Sequence, residues 1–170
     1  MKNDKIRKLT RAGVIAALYT VTTLLTIPVA SGAVQVRIGE ALTLLPLLYL
    51  EAVPALAVGC MLSNLICACA LPDIILGSLI TLVAGFLTFM VGRLVKNTFF
   101  KIFLGGLFPV MLNALLLPLI WVYCYGALEY IYPIQALLLV VGQGVSVYAV
   151  GTPTCLQLNK FKVKGVSFLQ

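Results

Sequence analysis

Arg37 and Glu40 stand three residues apart inside VQVRIGEALTLLP, residues Val34 to Pro46, with long apolar stretches on either side. Two chemistries fit that spacing. The guanidinium and carboxylate can pair with each other across one helical turn, with Glu40 also favoured at a helix N-terminus. Alternatively both serve a polar ligand, since a carboxylate accepts two adjacent N–H groups and a guanidinium grips a carbonyl oxygen. Ionisable groups at membrane depth are costly and usually functional, which weighs towards the ligand.

Three further polar side chains interrupt apolar runs: Asn64, Asn113 and Gln143. Each is either a ligand contact or a hydrogen-bonding link between helices. Trp121, Tyr123 and Tyr125 precede Glu129, Tyr130 and Tyr132, an arrangement expected of a membrane-interface aromatic belt. Trp121 is also suited to stack against a flat ligand.

Other chemistry is missing. The chain has no histidine, hence neither the commonest general base nor the commonest metal ligand. Cys60, Cys67, Cys69, Cys124 and Cys155 lie in apolar runs without CxxC spacing and read as small packing residues. No GxxxxGK[ST] phosphate loop, HExxH motif or histidine-containing triad occurs. Neither a metal nor a cofactor is expected, and an enzyme is disfavoured.

The elements that must position these residues follow from composition. The chain has 170 residues, 62% hydrophobic and 10% charged, against about 25% charge in soluble domains. Its solvent must be lipid. The net charge of +7 therefore reflects basic residues at segment ends, not a nucleic-acid surface. Charge-free intervals run over 12–36, 41–50, 52–72, 74–92, 102–128 and 130–159. A crossing helix needs about 20 residues. Five intervals qualify. The ten residues Ala41–Leu50 do not, because an α-helix of that length rises only about 15 Å.

Parity decides the matter. Every Lys and Arg except Arg37 falls in one of three clusters: 2–11, 93–101 and 160–164. The positive-inside rule wants all three in the cytoplasm. Five crossings cannot achieve that and six can, so the short segment is expected to cross. Part of the loop before it must then enter the protein, where irregular backbone is tolerated if buried or lining a cavity. Arg37 and Glu40 become the expected lining of an outward-opening pocket. Glu51, near Pro54, falls in a tight inner turn, while Asp73 and Glu129 fall outside. The expected architecture is all-α: a single polytopic membrane domain over 1–170 with six transmembrane helices. A basic N-terminus, 1–11, and a C-terminal tail, 160–170, are both cytoplasmic. A cleaved leader is the competing reading of the basic start, the apolar run and VASGA, but the run is long for one.

The first interval carries Ala12-x-x-x-Ala16 and Gly13-x-x-x-Ala17, spacings that let another helix backbone approach closely. Internal packing explains them equally well. A similar small-residue face, Gly77, Thr81, Ala84, Gly85, Thr88 and Gly92, is expected to pack internally.

LTRAGVIAALYT resembles the first helix of substrate-binding (S) components of energy-coupling-factor (ECF) transporters. VRIGEALTLLP resembles the QueT-family signature VRxxEALTxLP, with Gly39 at a position where serine is common. The likeness extends over the whole chain. It implies an S component in the bacterial cytoplasmic membrane that captures a queuosine precursor from outside. It also implies delivery by toppling within a complex of a transmembrane coupling subunit and two ATPases. Ala12 and Ala16 would then contact the coupling subunit. The implied ligand is a 7-deazaguanine: the 7-cyano or 7-aminomethyl form, or queuine. Glu40 would read its donor edge, and Arg37 would order the loop or meet the carbonyl. Asp73 or Glu129 would hold an aminomethyl cation, with Asn64, Asn113 and Gln143 as further contacts and Trp121 or Tyr125 stacking. The alternatives are an S component for another vitamin and a stand-alone secondary transporter or channel, although no internal repeat favours the latter.

Overall fold

A computed structural model describes residues 2–27, 34–126, 128 and 130–163. Among these every regular element is helical. The chain runs through α1 (Lys2–Leu25), a 3-10 helix (Ile38–Leu47), α2 (Ala52–Ile66), α3 (Leu71–Leu94) and α4 (Thr98–Tyr125). It ends in α5 (Tyr132–Gly144), a π-helical turn (Val145–Gly151) and α6 (Thr152–Val163). The last three form one continuous rod. Each of the six charge-free intervals therefore contains one helical segment. By length and composition, Leu71–Leu94, Thr98–Tyr125 and Tyr132–Lys160 suffice to cross a membrane, whereas Ile38–Leu47 and Ala52–Ile66 are shorter apolar helices.

The short segment is not an α-helix. It is a 3-10 helix over Ile38–Leu47, with Pro46 inside it. A 3-10 helix rises about 2.0 Å per residue, so ten residues reach about 20 Å instead of about 15 Å. The segment is therefore about a third longer than the α-helix expected of it. The segment also sits at the centre of the bundle, touching α1, α2, α3, α4, the π turn and α6. Eight of its residues, from Gly39 to Leu47, are buried.

Glycines make that burial possible. A Cβ on Gly151 would lie 2.5 Å from the Ala41 carbonyl oxygen, and one on Gly92 would lie 2.9 Å from that of Leu47. The small-residue face expected on α3 packs inward: Gly77, Thr81, Ala84, Gly85 and Thr88 are all buried. Thr88 Oγ1 donates to the Gly105 carbonyl at 2.8 Å, tying α3 to α4.

On α1 the inward stripe is Ile15, Ala16 and Tyr19, packed against Ala52, Ala55, Leu56 and Cys60, with Ala12 partly buried beside it. A Cβ on Gly59 of α2 would lie 2.9 Å from the Ala16 carbonyl. Of the pair Ala12 and Ala16, the second is buried in this packing and the first is partly buried. Ala16 is spent on α2 within the same chain. The small residues that α1 exposes are Gly13 and Ala17, beside Val14 and Leu18.

The helix α2 ends at Ile66, six residues short of the charge-free limit at Pro72, because Ala68 adopts φ +53° and turns the chain. Cys69 N–H then bonds back to the Asn64 carbonyl at 3.0 Å. The turn holds Cys67 and Cys69 beside the start of α3.

Candidate functional site

A cavity of about 450 Å³ opens between α1, α2, α3, α4, α5 and the start of the 3-10 helix. Arg37, Glu40, Asn113 and Gln143 line it, together with Asn64, Asp73, Trp121 and Tyr125. Of the residues expected from the sequence to contact a ligand, only Glu129 is not among them, and it lies outside the described residues. The volume suits a small organic ligand.

Glu40 is the buried centre, with 2% of its surface exposed. It does not pair with Arg37: the ion pair among the described residues is Arg11–Glu51, 2.5 Å, far along α1. Tyr19 takes that place, its fully buried hydroxyl donating to Glu40 Oε1 at 2.5 Å. The Thr43 hydroxyl donates to the Glu40 carbonyl at 2.6 Å, holding the backbone beneath. Glu40 Oε2 is left buried without a protein partner.

Other orphaned atoms surround the same space. Asn113 Nδ2 donates to Gln143 Oε1 at 3.4 Å, joining α4 to α5 and leaving Gln143 Nε2 buried and unpartnered. Arg37 Nε, Gln35 Oε1 and Thr23 Oγ1 are likewise buried without partners. Buried polar groups in proteins are nearly always satisfied, so a set of donors and acceptors orphaned around one cavity calls for a polar occupant. The arrangement can hold a flat molecule that presents N–H donors to Glu40 and acceptors to Gln143 and Arg37.

Asp73, at the first turn of α3, forms a second centre. Trp121 Nε1 donates to its Oδ1 at 3.2 Å and Tyr125 Oη to its Oδ2 at 2.9 Å. Each oxygen keeps a lone pair for a further donor, and the indole is fixed against the cavity. Asn64 is partly committed elsewhere: its Nδ2 donates to the Asp73 backbone carbonyl at 3.1 Å.

Sequence reasoning missed Tyr19, Thr23, Gln35 and the thiols. Tyr19 and Thr23 follow Ala12 and Ala16 at helical spacing, so a signal existed: one face of α1 turns from small to polar. Gln35 adopts φ +45°, a backbone strain that spacing alone does not reveal. Cys60, Cys67 and Cys69 line the cavity, a correction to their reading as packing residues alone; Cys155 is buried and Cys124 exposed.

A helical bundle with three segments long and apolar enough to cross a membrane, and with a polar cavity inside, is the architecture of a membrane protein that can hold a small polar molecule. Residues 9–160 match the family model described as QueT transporter, and the chain belongs to that family. No curated protein and no solved structure matches it.

Proposed function

We propose that the chain is the substrate-binding (S) component of an ECF-type ATP-driven importer, and that its cargo is a queuosine precursor of the 7-deazaguanine class. The observation that carries this reading is the buried, unpartnered Glu40 Oε2 facing the same cavity as the unpartnered Gln143 Nε2. A guanine-like edge offers adjacent N–H donors beside a carbonyl, the complement of that pair. Glu40 takes the donors; Gln143 or Arg37 takes the carbonyl; Trp121 or Tyr125 covers the ring. Asp73 or Glu129 neutralises an aminomethyl cation. Asn113 and Asn64 hold these groups in place and complete the contacts.

Six crossings with both termini in the cytoplasm are part of the proposal. Two features support it. Arg11 pairs with Glu51 at one end of the bundle, and Arg93, Lys101 and Asn159 meet beside Leu47–Leu50. The cavity would then face outward. Energy for uptake would come from two partner ATPases through a coupling subunit, with toppling delivering the cargo. The exposed Gly13 and Ala17 offer that subunit a close approach.

The test is mass spectrometry of the small molecule that co-purifies with the chain in detergent. A 7-deazaguanine is the expected result. A flavin or pterin overturns the cargo assignment. Uptake that survives ATP depletion, with no ATPase recovered alongside the chain, overturns the importer.

A further inference from the structure

The end of the bundle away from the cavity carries a recess that transport of the cargo does not use. Asp73 and Arg93 both belong to α3, 20 positions apart, and therefore about 30 Å apart along its axis. At the Arg93 end, a recess of about 520 Å³ is lined by Arg93 of α3, Lys101 of α4 and Asn159 of α6. Leu48, Leu50 and Phe89 supply apolar walls.

Three observations distinguish this recess from basic residues merely scattered at a membrane interface. First, its polar side chains come from three helices and converge on one concavity. Second, no carboxylate lines it, and neither Arg93 nor Lys101 forms an ion pair among the described residues. Arg11, by contrast, is matched by Glu51. Third, the Arg93 guanidinium lies 5.2 Å over the centre of the Phe89 ring, which restrains its direction.

We infer that this recess binds the phosphodiester headgroup of an anionic phospholipid. Arg93 and Lys101 hold the phosphate oxygens and Asn159 donates a neutral hydrogen bond. Leu50, half exposed at 53%, and Phe89 lie against the start of the acyl chains. Basic recesses between helices at the headgroup level recognise anionic lipids in this way. A bound lipid would bridge α3, α4 and α6 at the end where the 3-10 helix stops.

The test is native mass spectrometry of the full chain in detergent carrying equal phosphatidylglycerol and phosphatidylcholine. The unaltered protein should retain phosphatidylglycerol with roughly 30-fold preference. In the double variant Arg93→Gln/Lys101→Gln that preference should vanish. Arg7→Gln/Lys8→Gln removes the same charge from exposed positions of α1 and should keep it. Asn159→Leu, which changes no charge, should lower retention of phosphatidylglycerol at least about twofold, and serves where the double variant fails to fold. Equal retention of both lipids overturns the inference. So does an equal loss in both double variants, since that reflects net charge alone. Displacement of the lipid by millimolar inorganic phosphate also overturns it, because the site is then one for a free anion.

Discussion

Replacing Glu40 by Gln isolates the one interaction on which the cargo assignment turns. The substitution keeps shape and volume in a residue only 2% exposed. Tyr19 can still donate to the amide oxygen, as it does to Oε1 at 2.5 Å. What changes is the atom at the Oε2 position, an unpartnered acceptor in the present structure. If the amide oxygen stays with Tyr19, an NH2 group confronts the ligand's donors. If the amide flips, a neutral oxygen replaces a charged one. A hydrogen bond to a charged group contributes about 1.5–3 kcal/mol, so affinity should fall about 10- to 150-fold. The assay is built in. Trp121 is the single tryptophan of the chain and lines the cavity, so its fluorescence reports occupancy. Titration with 7-aminomethyl-7-deazaguanine should give the full loss. An analogue lacking the 2-amino group should bind the two proteins with a much smaller difference. Unchanged affinity would refute the assignment and leave Glu40 as the acceptor for Tyr19 alone. An equal loss for both ligands would show that Glu40 does not read the donor edge.

Tyr19→Phe should both weaken ligand binding and lower Tm, because it orphans Glu40 Oε1 in a buried site; an unsatisfied buried acceptor costs about 1–3 kcal/mol, or roughly 2–12 °C by thermal melt. A membrane-impermeant maleimide should label Cys67 or Cys69, both half-buried and facing the cavity, faster without ligand than with it; equal rates would mean that the cargo does not occupy the mouth. Ala17→Leu should impair recovery of partner subunits while leaving binding by the isolated chain intact, since Ala17 is exposed. Ala16→Leu should instead lower Tm, because Ala16 is 8% exposed and packed on α2; pull-down and melting of the two variants separate the faces.

Much of the site was legible because lipid makes polarity conspicuous. Arg37, Glu40, Asn64, Asn113 and Gln143 stand out against apolar neighbours, and a hydrocarbon solvent leaves them few places to go but inward. Parity of the basic clusters led to a crossing for the short segment; the structure makes it a ten-residue apolar 3-10 helix. Its conformation was not legible from length. The expected rise assumed an α-helix, while the segment adopts the longer 3-10 form. Tyr19 was hidden for a different reason: a tyrosine in a membrane helix usually serves the interface, and only tertiary packing brings its hydroxyl across to Glu40, 21 residues away. The roles of Ala12 and Ala16 turn on rotation about α1, which sets Ala16 against α2 and leaves Ala12 partly buried. Small-xxx-small spacing appears twice, one residue apart, and spacing cannot tell which copy faces α2.

The 3-10 helix explains why recognition and architecture converge on one segment. An α-helix satisfies its own backbone and tolerates lipid on any side, whereas a 3-10 helix with an internal proline does so poorly. Such a segment must be wrapped by protein, and Gly92 and Gly151 approach its backbone closely enough that a side chain there would collide. Wrapping buries Glu40 in the first turn of that helix, with Oε2 left unpartnered. A buried carboxylate left half-satisfied is a standing cost to stability, and a ligand that supplies the missing donors removes it. The same irregular segment that makes the fold depend on its neighbours therefore makes the pocket depend on its cargo.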